Sequence, residues 1–119
     1  MGKILVLGAS PKETRFSFKA VKALIRLERD VVAVGTNEGN IKGVDIHTGM
    51  PQFEDIDAII LYLGASAQVK YYDYMLGLKP GRIIFNPGTH NQEFIDMCKE
   101  KEIEPVVDCA LIMLNSGTF

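Results

Sequence analysis

The stretch Lys3-Ile4-Leu5-Val6-Leu7-Gly8-Ala9-Ser10-Pro11 decides the fold. An unbroken apolar run that closes on glycine and small residues is the pattern of a strand buried on both faces of a parallel sheet, since a half-exposed strand would alternate apolar and polar residues. The chain then meets Lys12 and Arg15, and the spacing predicts a helix from about Ser17 to Arg29. Phe18, Val21, Leu24 and Ile25 form its apolar stripe, and Ser17 is its expected N-cap. The first N–H groups of such a helix have no partner within the helix. They point over Gly8 to Ser10, a geometry that favours phosphate.

Working outward, Val31 to Val34 reads as a second strand ending on Gly35-Thr36-Asn37. Strand, helix and strand in so short a span make a right-handed βαβ unit. The segment 38–54, holding Gly39, Gly43, Gly49 and Pro51, is too broken for a long helix. It predicts loop, with a short strand at Val44-Asp45-Ile46 and one helical turn near Phe53, so that the usual second crossover helix is shortened or absent. A third strand, Ala58 to Leu63, ends on Gly64-Ala65-Ser66, and Ser66 is placed to cap a helix reaching about Leu78. Tyr71, Tyr72 and Tyr74 on that helix point in different directions and divide between core and surface. The fourth strand, Arg82 to Phe85, runs into Asn86-Pro87-Gly88-Thr89-His90-Asn91. A helix from about Gln92 to Lys101 then turns Phe94, Ile95 and Cys98 inward. A fifth strand around Pro105-Val106-Val107 leads through Asp108-Cys109 to a short helix with Leu111, Ile112 and Leu114.

Apolar strands alternating with helices predict an α/β fold: a doubly wound, parallel five-stranded sheet in three α/β/α layers, of the Rossmann-like kind. Ligands of such sheets bind outside the carboxyl ends of the strands, beside the point where the strand order reverses. The loops placed there are Gly8-Ala9-Ser10, Gly35-Thr36-Asn37, Gly64-Ala65-Ser66, Asn86-Pro87-Gly88 and Asp108-Cys109.

Composition narrows the function. The 119 residues carry 15 acidic and 13 basic side chains, a net charge of −2, which speaks against a nucleic-acid binder. Cys98 and Cys109 form no CxxC pair, so a reducing cytoplasm is expected. No apolar run approaches the ~18 residues of a membrane span, and no signal-peptide pattern stands at the N-terminus. One domain over residues 1–119 is expected, with a homo-oligomer left open.

A dinucleotide fingerprint wants G-x-G-x-x-G after the first strand and an acid after the second. Only Gly8 is present, with Ser10 and Glu13 in place of the other glycines, and Asp30 precedes the second strand. G-x-x-x-x-G-K-[ST] is also absent. The first loop offers instead Ser10, Lys12, Arg15 and Ser17 around a helix start, a set suited to pyrophosphate or an additional phosphate.

With Gly8-Ala9-Ser10 followed by Arg15 and Ser17, Gly88-Thr89-His90-Asn91 after the fourth strand, and Val106-Val107-Asp108-Cys109 near the end, the sequence resembles the small stand-alone CoA-binding proteins. Their fold matches the CoA-binding domain of succinyl-CoA synthetase. The resemblance covers nearly the whole chain. It implies that Gly8, Ala9, Ser10, Arg15 and Ser17 receive the phosphates of CoA, and that Asn37 and Ser66 lie near its adenosine or pantetheine. The full expected site adds Lys12, Thr36, Gly64, Asn86 and Gly88, with coenzyme A or an acyl-CoA as ligand. The phosphorylated histidine of the synthetase lies in a separate domain, so no complete acyl-CoA ligase is expected, nor a catalytic role for His90 or Cys109. His47 has no metal-ligand spacing with another residue. The other two readings are an NAD(P)-dependent oxidoreductase, against which the missing glycines and acid count, and a ligand-free interaction module on the same fold.

Overall fold

In the computed structural model, which describes residues 2–119, the opening apolar run is β1 (Lys3–Leu7). It is followed by α1 (Phe16–Arg26), β2 (Val31–Val34), β3 (Gly39–Ile41), β4 (Val44–His47), β5 (Ile56–Leu61) and α2 (Ala65–Gln68). A 3-10 turn at Val69–Tyr71, α3 (Tyr72–Gly77), β6 (Arg82–Phe85), α4 (Gln92–Glu100), β7 (Glu104–Val107) and α5 (Ala110–Ser116) complete the chain. The strands form one sheet in the order β3-β4-β2-β1-β5-β6-β7. β1 is central, paired in parallel with β2 on one side and β5 on the other. The chain leaves β1 towards one neighbour and returns beyond the other, which makes its carboxyl end the switch point.

The alternation of side chains along each strand builds the two outer layers. Ile4, Val6, Ala33, Ala58, Ile60 and Ile84 face α1 and α5, where Phe18, Val21, Leu24, Met113 and Leu114 cover them. Leu5, Leu7, Val34, Ile59, Leu61, Ile83 and Phe85 face the other way, against Tyr71, Tyr74 and Met75 and against Phe94, Ile95 and Cys98 of α4. Tyr72 stacks flat on Phe94, centroids 4.6 Å apart. Ile112 on the last helix is 64% exposed, because Ala110, Met113 and Leu114 take the buried face of α5.

The expected parallel strands are β1, β2, β5, β6 and β7, but the sheet has seven strands and is not wholly parallel. Where a loop with one short strand was expected, β3 and β4 form an antiparallel hairpin, and β4 adds in parallel to β2. Lys42 (φ 50°) and Gly43 (φ 95°) make the two-residue turn, the conformation that matches strand twist in tight hairpins. Asn40 holds it: its Oδ1 accepts from the Gly43 N–H at 2.9 Å and its Nδ2 donates to Asp45 Oδ1 at 2.9 Å. Ile41 and Ile46 are buried in the core. The hairpin thus occupies the place of the missing crossover helix.

Cys98 is fully buried in α4, and burial pushes its thiol from 9.0 to about 11. The folded state holds this proton more tightly than the unfolded chain. The resulting stability is therefore complete below the unfolded value and is lost as pH rises through the folded one. The expected result is a Tm that falls from pH ~9 to ~11, with Cys98→Ala moving the onset upward. Tyr74, pushed up to about 12 by burial and then by Tyr71, titrates next. An unchanged onset in Cys98→Ala would show that the thiol does not set the alkaline limit.

Candidate ligand-binding site

The loop after β1 is fixed on both sides. Gly8 and Ala9 donate their N–H groups to the Val34 carbonyl at 2.8 and 3.0 Å, and the Tyr62 N–H donates to the Leu7 carbonyl at 2.8 Å. Gly8 has φ 96°, and a Cβ there would stand 2.9 Å from the Tyr62 carbonyl carbon. A side chain is excluded by conformation and by space. Ser10 Oγ accepts from the Lys12 N–H at 3.2 Å, and the Arg15 N–H donates to the Lys12 carbonyl at 3.0 Å, turning the chain into α1.

α1 begins at Phe16 with Arg15 in the cap position and no side chain capping it. The expected cap, Ser17, lies one residue inside the helix and is buried. The turn closed by Lys12 and Arg15 starts the helix earlier than Ser17, and the first N–H groups of α1 are left for something outside the chain. The first turn carries no acid, and Lys12 and Arg15 stand exposed beside it. Positive charge from the backbone and from two side chains therefore converges on one point.

A cleft of about 430 Å³ opens there, walled by Gly8 to Lys12, by Arg15 to Ser17, by Thr36 and Asn37 and by Tyr62 and Leu63. Eight of the twelve expected residues (Gly8, Ala9, Ser10, Lys12, Arg15, Ser17, Thr36 and Asn37) thus surround a single cavity. Four of its walls were not singled out in the sequence: Pro11, Phe16, Tyr62 and Leu63. On the other side of Gly8, Thr36 and Leu63, a narrow pocket of about 40 Å³ is closed by Ala67, Lys70 and Tyr71.

The other expected residues stand apart. Gly64 caps α2 in place of Ser66, because its carbonyl accepts from the Ala67 and Gln68 N–H groups at 3.0 and 3.1 Å. Ser66 is exposed on the outer face of that helix. Gly88 (φ 89°) is exposed in the turn after β6. Asn86 is buried and its amide is committed to the scaffold. Nδ2 donates to the Leu61 carbonyl at 2.7 Å and Oδ1 accepts from the Ala110 N–H at 2.8 Å. Gln68, fully buried, ties the loops together by donating to the carbonyls of Leu63 and Thr89, both at 2.8 Å. His90 is exposed, and Cys109 is a free, half-buried cysteine at the cap of α5.

Tyr62 is the unusual wall. Its hydroxyl is buried and has no hydrogen-bond partner. Burial first, and the neighbouring Cys109 second, push the phenol well above its ordinary range, so it remains protonated at neutral pH. Among the described residues, no group of three or more His, Cys, Asp or Glu could hold a metal ion, and no helix is long and apolar enough to cross a membrane.

Residues 2–115 match the family model described as a CoA binding domain. Among solved structures, a protein described as uncharacterized is 40% identical, with a TM-score of 0.96 over 100% of this chain and 98% of its own. The cell-free ID.343 protein of Thermus thermophilus is 23% identical at a TM-score of 0.86, over 99% of this chain and 90% of its own. A hypothetical protein from Pyrococcus horikoshii OT3 is 19% identical at a TM-score of 0.86, over 98% of this chain and 83% of its own. The last two share the fold. No curated protein sequence matches.

Proposed function

The chain belongs to the CoA binding domain family, and from that premise we propose that it binds coenzyme A or an acyl-CoA in the cleft at the end of β1, without chemistry of its own. One observation carries this reading: the uncapped N-terminus of α1, the pinned Gly8-Ala9-Ser10 loop and the cations Lys12 and Arg15 meet at one cavity. Backbone donors at a helix start receive phosphate oxygens without a side chain between them. Lys12 and Arg15 neutralise the charge that several phosphates bring, and Arg15 has the planar fork suited to two of their oxygens. Ser10, with its Oγ turned to the Lys12 N–H, shapes the loop, and Ser17 offers a hydroxyl at the first turn. Thr36 and Asn37 take the wall on which a dinucleotide enzyme would carry a ribose-binding acid, which favours CoA over NAD. With both cysteines free, the reading places the protein in a reducing cytoplasm.

Thermal unfolding with CoA, dephospho-CoA, acetyl-CoA, NAD and NADP tests it. A ligand bound only by the native state adds ~2.7 kcal/mol at a hundredfold excess over its dissociation constant. A shift with CoA that shrinks with dephospho-CoA, and none with NAD, is the expected pattern. A shift with NAD or NADP alone would replace CoA by a dinucleotide, and no shift at all would leave the interaction module. Arg15→Ala should weaken CoA binding by about 1–3 kcal/mol, the range for a hydrogen bond to a charged group. Unchanged affinity would remove Arg15 from the phosphate contacts.

A further inference from the structure

The chain has six phenylalanines, and five of them pack into the fold. Phe18 and Phe119 join the core on the α1 and α5 side of the sheet, and Phe53, Phe85 and Phe94 join the core on the opposite side. Phe16 joins neither and is 63% exposed. A single apolar residue on a surface needs no explanation by itself. This one walls the cleft. Of the large apolar side chains left exposed among the described residues, it is the only aromatic and the only one in that wall. It is also the first residue of α1, where alanine, the better helix former, would serve the helix at least as well. The ring therefore adds nothing to the empty fold, and it lies open where a ligand in the cleft meets it. The Lys19 ammonium stands over the ring, 5.3 Å from its centroid, a contact that steadies the ring without burying it.

We propose that Phe16 is the platform on which the adenine of the bound ligand stacks. The proposal rests on the CoA reading and adds to it the residue that holds the base. Of the groups CoA carries, adenine alone is flat and aromatic, and an exposed aromatic side chain is the partner that takes such a ring face to face or offset. The ribose of CoA bears one phosphate at its 3′ position and the pyrophosphate at its 5′ position. A ligand whose phosphates lie at Lys12 and Arg15 thus brings its base close to Phe16, which follows Arg15 directly and shares the cavity with both cations. Stacking of this kind distinguishes a nucleotide from a simple phosphate ester, because the pantetheine arm has no π face to offer.

The test compares Phe16→Ala, Phe16→Leu and Phe16→Trp with the unaltered protein. Each is measured for Tm without ligand and by calorimetry for affinity towards CoA and towards adenosine 3′,5′-bisphosphate, which lacks the pantetheine arm. Tm should stay within about 3 °C in all three, because no core contact is lost. Phe16→Ala should bind CoA about tenfold more weakly, with a matching loss for the bisphosphate. Phe16→Leu keeps apolar bulk without a π face and should lose nearly as much, whereas Phe16→Trp should bind as well as the unaltered protein or better. Unchanged CoA affinity in Phe16→Ala overturns the proposal and leaves the CoA reading standing. Full affinity in Phe16→Leu also overturns it, by reducing the contact to apolar bulk, and so does a loss with CoA that the bisphosphate does not share, by moving the ring to the pantetheine arm. Absence of CoA binding by the unaltered protein defeats the CoA reading itself, and this inference with it.

Discussion

Gly35→Ala is expected to lower the free energy of unfolding by about 3 kcal/mol, at the upper end of what one added methyl group does in a packed region. It should also remove CoA binding at concentrations that saturate the unaltered protein. A Cβ on Gly35 would run into the Ala9 carbonyl oxygen and lie 3.2 Å from its carbon. These are backbone atoms, so no side chain can swing away. The Ala9 peptide cannot retreat without breaking the bonds that Gly8 and Ala9 donate to Val34. Gly35 for its part is held by its own N–H on the His47 carbonyl at 2.9 Å. Strain of this kind goes into the Gly8-Ala9-Ser10 loop. Denaturant unfolding measures the first effect and calorimetry the second. Gly64→Ala is the control: nothing lies within 4 Å of its added Cβ, and the change should stay within about 1 kcal/mol, the scale of an altered N-cap. A Gly35→Ala protein as stable as that control would mean that the loop yields freely.

The layers of the fold were legible because burial on two faces leaves a simple mark. β1, β5 and β6 read as apolar runs of Ile, Leu, Val and Phe, and the helices between them as stripes at helical spacing. The hairpin was not legible as a whole. β3 is Gly39, Asn40 and Ile41, in which only Ile41 is fully buried, and β4 is Val44 to His47. Three residues with one core side chain give no period to detect, and what holds them is Asn40 bracing the turn, a contact made after folding. The ends of elements moved for a similar reason. Ser17 and Ser66 carry the side chain of a cap, but the Lys12 to Arg15 turn and the Gly64 carbonyl start the helices first.

The cleft divides along the same line. Residues near in sequence to Gly8, and those just after β2, could be placed because the switch-point rule fixes which loops meet there. Tyr62 and Leu63 read as the last residues of a strand. The sheet releases the chain at Leu61, so both become walls. Phe16 read as neither stripe nor cap, yet it is 63% exposed at the mouth of the cleft, with the Lys19 ammonium 5.3 Å from its ring centroid. Gln68 gave no signal, because one polar residue in a helix looks solvated until the two carbonyls it bridges are known.

Asn86 separates a ligand residue from a scaffold residue, and Asn86→Ala is expected to cost about 2–6 kcal/mol of stability. The side chain joins two elements, through the Leu61 carbonyl at the end of β5 and the Ala110 N–H at the start of α5. Cys109, in the cap position of α5, offers that helix no side-chain hydrogen bond, so Asn86 caps it from the loop that follows β6. Truncation leaves a buried acceptor and a buried donor unpaired, each worth about 1–3 kcal/mol. Asn86→Asp keeps the acceptor for Ala110 but sets a carboxylate oxygen against the Leu61 carbonyl, so it should also be destabilised, and more so at neutral pH than in mild acid, where the carboxyl can regain a proton and donate. Urea unfolding of the three proteins at both pH values decides the matter. A loss below about 1 kcal/mol in Asn86→Ala, with CoA affinity reduced, would return Asn86 to the ligand. The expected loss makes it the brace that holds the end of β5, and with it Tyr62, at the wall of the cleft.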